Sequence, residues 1–346
     1  MAAVYHGPND LRLEERPVPT IGPGEVLLKT VGCGICATDL RILHGDHGKF
    51  PTGTIRIPGH ELVGDIVEVG ANATGVEASQ RVFVAPNMGC GHCRQCVTGN
   101  NNRCARFEAL GITMDGAFAE YVRIPAAAVL QGNLIPLKSE TDPSVAPLIE
   151  PFACVLRGQR VLDVQPDDVM LVVGAGPIGL MHVLLARLRG VGRILVADLN
   201  NERLTKAKEA GANRVIDCIE EQLGDVVLEE SNGQGADVIV IAAASHEAQE
   251  EALSLAAIGG RISFFGGLPK DRSTVRFDSN LLHYKELRVT GTTACSTSDC
   301  WEAASIVNSG RIDLASIVTN RFPLGHALEA FAAAEQQRSL KIVLEA

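Results

Sequence analysis

The chain has 346 residues, 46% of them hydrophobic, which is enough for sizeable cores and, by length, for two domains. Its 41 acidic and 31 basic residues give a net charge of −10, which argues against docking on nucleic acid or anionic lipid. The first ten residues include polar and charged ones, and no apolar run approaches a membrane span, so we expect a cytoplasmic protein without a signal peptide. In that compartment, ten cysteines favour metal ligands or buried thiols over disulfides.

The N-terminal segment, residues 1–32, is typical of short strands interrupted by prolines. Cys33 and Cys36 follow, with the spacing of a redox dithiol or of half a zinc site. A redox pair would need a neighbouring βαβ unit, which strands of this kind do not supply. The redox interpretation is therefore the weaker one.

An alternating strand at residues 58–70 opens with His60 and Glu61. A lone histidine at the start of a strand is usually structural, but together with Cys36 it becomes a candidate metal ligand. Glu150 supplies a third donor, and three protein ligands with an open position are typical of catalytic zinc. The alternative is a group of buried polar residues satisfied by hydrogen bonds.

Four closely spaced cysteines give the strongest spacing signal: Cys90, Cys93, Cys96 and Cys104. Four thiolates complete a tetrahedral shell and leave no position for a substrate, so the spacing predicts a structural zinc site. A zinc ribbon that binds nucleic acid would want basic and aromatic neighbours, and this acidic chain has only 4% aromatic residues. His92 could compete as a ligand, although four thiols already suffice.

Residues 168–198 predict a strand, a glycine turn, a helix and a second strand. The turn is Gly174-Ala175-Gly176-Pro177-Ile178-Gly179, in which the three glycines permit a tight turn, close approach to a pyrophosphate, and helix–strand packing, respectively. Asp198 ends the second strand, where a carboxylate can hold both hydroxyls of an adenosine ribose. This context favours NAD binding over a glycine-rich turn without a nucleotide.

The alternation of helix and strand continues and predicts a parallel, doubly wound sheet. We expect helices at 201–210, 220–231, 246–257, 299–309 and 325–335, and strands at 214–218, 237–242, 260–266, 287–291 and 341–344. Cys33, Cys154, Cys218, Cys295 and Cys300 lack ligand-like spacing and are expected to be buried or inert thiols.

Taken in order, the segments GICATD, GHELVGDIVEVG, the cysteine quartet and VVGAGPIG resemble the zinc-containing medium-chain dehydrogenases over essentially the whole chain. The segments IEPFAC and DLNNERL are most similar to the sorbitol, sugar-alcohol and threonine dehydrogenase branch. The resemblance implies an α/β fold with a GroES-like β-rich catalytic domain at 1–152 and 294–346, which holds both zinc sites. A Rossmann cofactor domain would occupy 153–293.

The resemblance also implies residue roles. Cys36, His60 and Glu150 or Glu61 match the catalytic zinc shell, and Glu61 is expected to exchange with water or lie just outside it. Thr38 matches the hydroxyl that hydrogen-bonds the substrate alcohol, and Ile178, Asp198 and Arg203 match cofactor-contacting positions. The implied reaction transfers a hydride between NAD(P) and a polyol or other secondary alcohol. NAD should be preferred, because Asp198 would repel a 2′-phosphate.

Departures from the family pattern bear on the substrate. Arg41 stands where relatives often carry a relay histidine. Sorbitol dehydrogenases have a tyrosine where this chain has Ile42 and an arginine near the position of Ala294, and both contact the substrate in that branch. Arg41 could favour a substrate with a phosphate or carboxylate, or it could contact the cofactor pyrophosphate or a carboxylate between the domains. His44 and His47 could replace the relay histidine, although surface positions suit them better.

Two other functional classes stay open: a zinc-free reductase, and a non-enzymatic NAD sensor or scaffold. Threonine and sugar phosphates are alternative substrates to a polyol. We expect a small-molecule partner, no nucleic acid or membrane partner, and a homodimer or homotetramer.

Overall fold

The computed structural model describes residues 1–336 and 339–346. They divide into two compact units, residues 1–153 with 294–346 and residues 154–293. No helix in the described ranges is long and apolar enough to cross a membrane.

The strands, in chain order, are β1 (Ala2–Gly7), β2 (Asp10–Glu14), β3 (Val26–Ile35), β4 (Glu61–Val69), β5 (Arg81–Val84), β6 (Asn87–Met88), β7 (Glu108–Ala109), β8 (Tyr121–Ile124), β9 (Leu134–Pro136), β10 (Val169–Val173), β11 (Arg193–Asp198), β12 (Arg214–Asp217), β13 (Ala236–Ile241), β14 (Ala256–Phe264), β15 (Arg288–Gly291), β16 (Val318–Pro323) and β17 (Lys341–Glu345).

The α-helices are α1 (Ala37–Leu43), α2 (Arg94–Val97), α3 (Ala126–Leu130), α4 (Ile149–Val161), α5 (Pro177–Leu188), α6 (Asn201–Glu209), α7 (Leu223–Glu230), α8 (His246–Leu255), α9 (Ser279–Tyr284), α10 (Thr297–Asn308) and α11 (Ala327–Glu335).

The first unit is built on a seven-stranded sheet in the order β16-β17-β3-β4-β5-β9, with β8 also paired to β3. Strand β3 is antiparallel to both β4 and β17, and it is buried along most of its length. Its core-facing residues, such as Leu28, join a cluster in which Phe118 meets Phe331 of α11 edge-to-face at 5.5 Å. The central strand β3 therefore brings segments from both ends of the chain together.

The second unit is a six-stranded parallel sheet in the order β12-β11-β10-β13-β14-β15. This order, 3-2-1-4-5-6 within the unit, is that of a dinucleotide-binding doubly wound sheet. Its central strands are buried on both faces, as continuous runs such as Val169–Val173 predict. Leu171, Leu195 and Ile239 pack with Val226 of α7 and Leu253 of α8. The expected α/β fold class is confirmed.

Candidate active site, structural zinc site and cofactor site

The register of β3 against β4 brings together three of the residues that the sequence predicts as ligands of a catalytic metal. Gly34 pairs with Glu61 and Cys33 with Leu62, so the end of β3 lies beside the start of β4. Cys36 follows β3 as the N-cap of α1, and His60 directly precedes β4. As a result, ligand atoms of Cys36, His60 and Glu61 all lie within 4.8 Å of one another.

The Asp39 carboxylate contacts both Cys36 and His60. Its Oδ2 accepts a hydrogen bond from the Cys36 backbone N–H at 2.9 Å, and its Oδ1 lies 3.5 Å from His60 Nδ1. A carboxylate beside Nδ1 favours a proton there, which would leave Nε2 available to a metal. Asp39 is 1% exposed, so solvent does not compete for it. Asp39 was not among the residues predicted from the sequence, although its place three residues after the N-cap is a capping-box signal.

Glu61 is held by a cation from the far end of the chain. Lys341 Nζ donates to Glu61 Oε1 at 2.5 Å, and both side chains are buried. Burial raises the pKa of the Glu61 carboxyl, the Lys341 ammonium opposes that rise, and the nearby Glu150 carboxylate adds to it. Gly34 leaves space for the Glu61–Lys341 ion pair, because a Cβ at this position would overlap Glu61 Oε2 and lie 3.1 Å from Lys341 Cε.

The donor set fits zinc. A thiol, an imidazole and a carboxylate are all ordinary zinc ligands. Among the described residues, the buried Glu61 Oε2 has no hydrogen-bond partner, whereas the other carboxylate oxygen, Oε1, accepts a hydrogen bond from Lys341. A buried carboxylate oxygen is costly to leave unpaired, and a cation in the cluster would satisfy it.

The other predicted active-site residues are on helices α1 and α4 or directly after α1. Thr38 is half-buried on the first turn of α1, two residues after Cys36, and Arg41 is exposed on the last turn. Glu150 is the second residue of α4, and its Oε1 accepts a hydrogen bond from Cys295 Sγ at 3.5 Å. Its carboxylate is outside the Cys36–His60–Glu61 group, so its role as a ligand stays a prediction. His44 is hydrogen-bonded to Asn9 and contacts the Glu335 carboxylate. These contacts support the interpretation of His44 as a surface residue.

The four cysteines of the four-cysteine loop (residues 90–104) converge on one point. The Sγ–Sγ distances are 3.9 Å for Cys90–Cys96, 3.5 Å for Cys93–Cys96 and 3.8 Å for Cys93–Cys104. Zinc–sulfur bonds of about 2.3 Å in a tetrahedron place the sulfurs about 3.8 Å apart. The geometry therefore fits one zinc ion with four thiolates.

Backbone N–H groups around the loop point at these sulfurs. Cys93 N donates to Cys90 Sγ at 3.4 Å, and Arg106 N donates to Cys104 Sγ at 3.3 Å. Such donors stabilise thiolates and orient them. His92 Nδ1 bonds to the Cys90 carbonyl oxygen and Nε2 contacts Arg106, so this imidazole is engaged outside the sulfur shell.

In the second unit, the glycine turn has the predicted form. Gly174 has a φ of +104°, which favours glycine, and a Cβ on Gly179 would overlap the Gly174 carbonyl oxygen. Gly176 is the N-cap of α5, and a Cβ there would have no described atom within 4 Å. Gly176 therefore leaves free space beside the N-terminus of α5, which has Pro177 and Ile178 in its first turn, and a helix N-terminus is a favourable place for a phosphate.

Asp198 is fixed at the end of β11. Its Oδ2 accepts a hydrogen bond from Ala175 N at 2.6 Å, and its Oδ1 accepts one from Asn200 N at 2.9 Å. These bonds tie the carboxylate to the glycine turn. Arg203 lies one turn into α6, and its backbone N–H caps onto Asn200 Oδ1 at 3.1 Å.

Known families match both halves of the chain. Residues 22–136 match the alcohol dehydrogenase GroES-like domain, and residues 177–309 match the zinc-binding dehydrogenase domain. L-threonine 3-dehydrogenase from Streptomyces coelicolor is 33% identical over 338 residues, which cover 97% of this chain and 96% of that protein.

Solved structures agree. A short chain alcohol dehydrogenase from Escherichia coli CFT073, complexed with cofactor NADH, gives a TM-score of 0.89 at 31% identity and covers 100% of this chain and 98% of its own. A putative zinc-binding dehydrogenase from Sinorhizobium meliloti 1021, bound to NADP, gives 0.91 at 29% identity with coverage of 100% and 98%. The chain belongs to the zinc-containing medium-chain dehydrogenase family and is an oxidoreductase that uses zinc and NAD(P).

Proposed function

We propose that this dehydrogenase oxidises a secondary alcohol that carries a second zinc-binding group on the neighbouring carbon, with NAD as the hydride acceptor. The observation that carries this proposal is the mixed donor set of Cys36, His60 and Glu61. One thiolate with carboxylate neighbours crowds a metal less than two thiolates do, and it leaves room for a bidentate substrate. A polyol or other vicinal diol has this character.

Zinc, when bound, acts as a Lewis acid that lowers the pKa of a substrate hydroxyl. The chain's residues then have separate tasks. Thr38, two residues after Cys36, would accept the hydroxyl proton and pass its own onward. Asp39 holds Cys36 and His60 in place, and Lys341 holds Glu61. Glu150 would complete the shell or tune its charge.

L-threonine is the second candidate. Relatives of 30–33% identity are named L-threonine 3-dehydrogenase. Threonine is a secondary alcohol with an amino group on the next carbon, so it meets the same geometric requirement. It also carries a carboxylate, which a neutral diol lacks. A substitution of Arg41 can therefore distinguish the two kinds of substrate.

We expect Arg41→Ala to lower kcat/KM for L-threonine or a sugar phosphate, and to leave kcat/KM for a neutral vicinal diol within about threefold. A charge-assisted hydrogen bond contributes roughly 1.5–3 kcal/mol, or about 10- to 150-fold. Steady-state kinetics on both substrate types measure this, with the exposed Arg311→Ala as the control. A rise in the KM for NAD without a change in substrate preference would contradict it.

We expect NAD to be preferred over NADP by roughly 100-fold or more in kcat/KM. Two hydrogen bonds from ribose hydroxyls to the Asp198 carboxylate would contribute about 1.5 kcal/mol or more each. A 2′-phosphate would remove one bond and place like charges together. Asp198→Ala should narrow the ratio, whereas equal kcat/KM values in the wild type would show that Asp198 does not select the cofactor.

A substrate panel tests the proposed function itself. Sugar alcohols, sugar phosphates, vicinal diols and L-threonine are offered with NAD, and reduction is followed at the nicotinamide absorbance. Turnover should be strongest on compounds with a vicinal hydroxyl or amine. An NAD sensor would bind the cofactor without turnover, and a zinc-free reductase would keep its activity after chelation.

A further inference from the structure

We propose that Cys295 and Asn87 are positioning residues for Glu150. Through these two residues, the four-cysteine loop supports the catalytic zinc site. The proposal rests on the proposed role of Glu150 in the catalytic zinc shell.

The Cys295 thiol is directed at Glu150. Cys295 Sγ donates a hydrogen bond to Glu150 Oε1 at 3.5 Å. Its sulfur in turn lies 3.4 Å from Cys300 Sγ and 3.6 Å from Asn87 Nδ2, both of which can donate to it. Cys295 is 0% exposed and Glu150 is 7% exposed, so the orientation is fixed in a buried setting.

Asn87 fixes the backbone that carries this thiol. Its Nδ2 donates to the Cys295 carbonyl oxygen at 2.8 Å, across 208 positions of sequence. Asn87 is 5% exposed and lies three residues before Cys90, the first cysteine of the quartet. The same amide therefore belongs to the base of the four-cysteine loop and to the turn that presents Cys295.

The four-cysteine loop and the start of α10 are joined at further points. Asn101, inside the loop, donates to the Asn87 carbonyl oxygen at 2.8 Å, and its Oδ1 accepts a hydrogen bond from Thr297 N at 2.9 Å. Ser298 Oγ donates to the Gly99 carbonyl oxygen at 3.2 Å. A loop organised by zinc would thus hold residues 295–298 in place from one side.

Helix capping explains part of this arrangement. Cys295 precedes the N-cap Ser296, and Cys300 is the fourth residue of α10, which are the two positions of a hydrophobic staple. A staple accounts for two buried small side chains. It does not account for the hydrogen bond from the Cys295 thiol to the buried Glu150 carboxylate. Nor does it account for the Asn87 amide, which donates to both the carbonyl oxygen and the sulfur of Cys295.

Residues that orient a metal ligand typically change metal affinity by about 10- to 100-fold when they are removed. We therefore expect Cys295→Ala and Asn87→Ala to weaken binding of the catalytic zinc by about 10- to 100-fold, while the structural zinc is retained. Cys295→Ser keeps a donor and should stay within about threefold of the wild type. Cys300→Ala makes the same truncation in the same cluster and should also stay within about threefold.

The test is zinc titration of the full-length protein against a competing chelator, with thermal unfolding of each variant in parallel. In a Glu150→Ala background, Cys295→Ala should have no further effect on zinc affinity, because the thiol acts through that carboxylate. Unchanged affinity in Cys295→Ala, or additive effects of Cys295→Ala and Glu150→Ala, would overturn the inference. A purely structural role would lower the unfolding midpoint alone and would also overturn it.

Failure of the proposed function gives a different result. If Cys36→Ser loses no zinc relative to the wild type, the catalytic site itself is misassigned. If Cys36→Ser loses one zinc but Cys295→Ala leaves its affinity unchanged, only the positioning role of Cys295 and Asn87 fails.

Discussion

Cys36→Ser should abolish alcohol oxidation while the protein stays folded and keeps its four-cysteine zinc. Cys36 supplies the thiolate of the Cys36–His60–Glu61 group, and a serine hydroxyl is a much weaker zinc ligand at neutral pH. Loss of the Lewis acid removes several kcal/mol of transition-state stabilisation, so we expect kcat/KM to fall by about 10³-fold or more. Zinc content should fall by one ion per chain.

Cys33→Ala is the matched control. Cys33 belongs to the same CxxC pair and is fully buried, but its sulfur contacts the Gly34 carbonyl oxygen at 3.8 Å and lies outside the metal group. It should lose some stability and keep both zinc ions and most activity. Activity that survived in Cys36→Ser, or that vanished equally in Cys33→Ala, would argue that the pair acts by another chemistry.

Cys104→Ser should remove the structural zinc and destabilise the protein. The sulfur spacing of 3.5–3.9 Å suits a closed tetrahedral shell, and zinc in such sites contributes directly to folding. A loss of roughly 4 kcal/mol would lower the unfolding midpoint by about 10 °C. Metal analysis and thermal unfolding measure both effects.

Cys218→Ser is the control for this variant, because Cys218 is a half-buried thiol that belongs to the second unit and not to the quartet. It should leave zinc content unchanged. If Cys104→Ser kept both its zinc content and its midpoint, the quartet would not be a structural metal site.

The features that the sequence predicts best are those whose parts are close together in the chain. The cysteine quartet spans residues 90–104, and the glycine turn fills six consecutive positions, so spacing alone carries their geometry. Asp39 was not predicted, although its capping-box spacing from Cys36 is visible in the sequence and could have indicated it.

Contacts that depend on strand register could not be predicted in this way. Lys341 reaches Glu61 across 280 positions because β17 and β4 both pair with β3, and no local pattern encodes that. The room for this pair also depends on Gly34, whose lack of a side chain has meaning only once Glu61 lies opposite. Asn87 and Cys295 are separated in the same manner.

The boundary between α8 and β14 also differs from the one expected from the sequence. The helix expected at 246–257 ends at Leu255, and the strand expected from 260 begins at Ala256. Gly259 and Gly260 suggest a turn between the two elements. Instead, Gly259 adopts a φ of +76° inside an irregular strand, and the register of β14 against β13 shifts nearby.

A catalytic zinc ion at Cys36, His60 and Glu61 is tested most directly by the rate of NAD reduction by the purified protein on its best panel substrate, measured before and after chelation and again after zinc is restored. We expect activity to fall with the loss of one zinc ion per chain, while the four-cysteine zinc stays bound, and to return with zinc. Full activity in protein that retains only the four-cysteine zinc would contradict a catalytic metal at Cys36, His60 and Glu61.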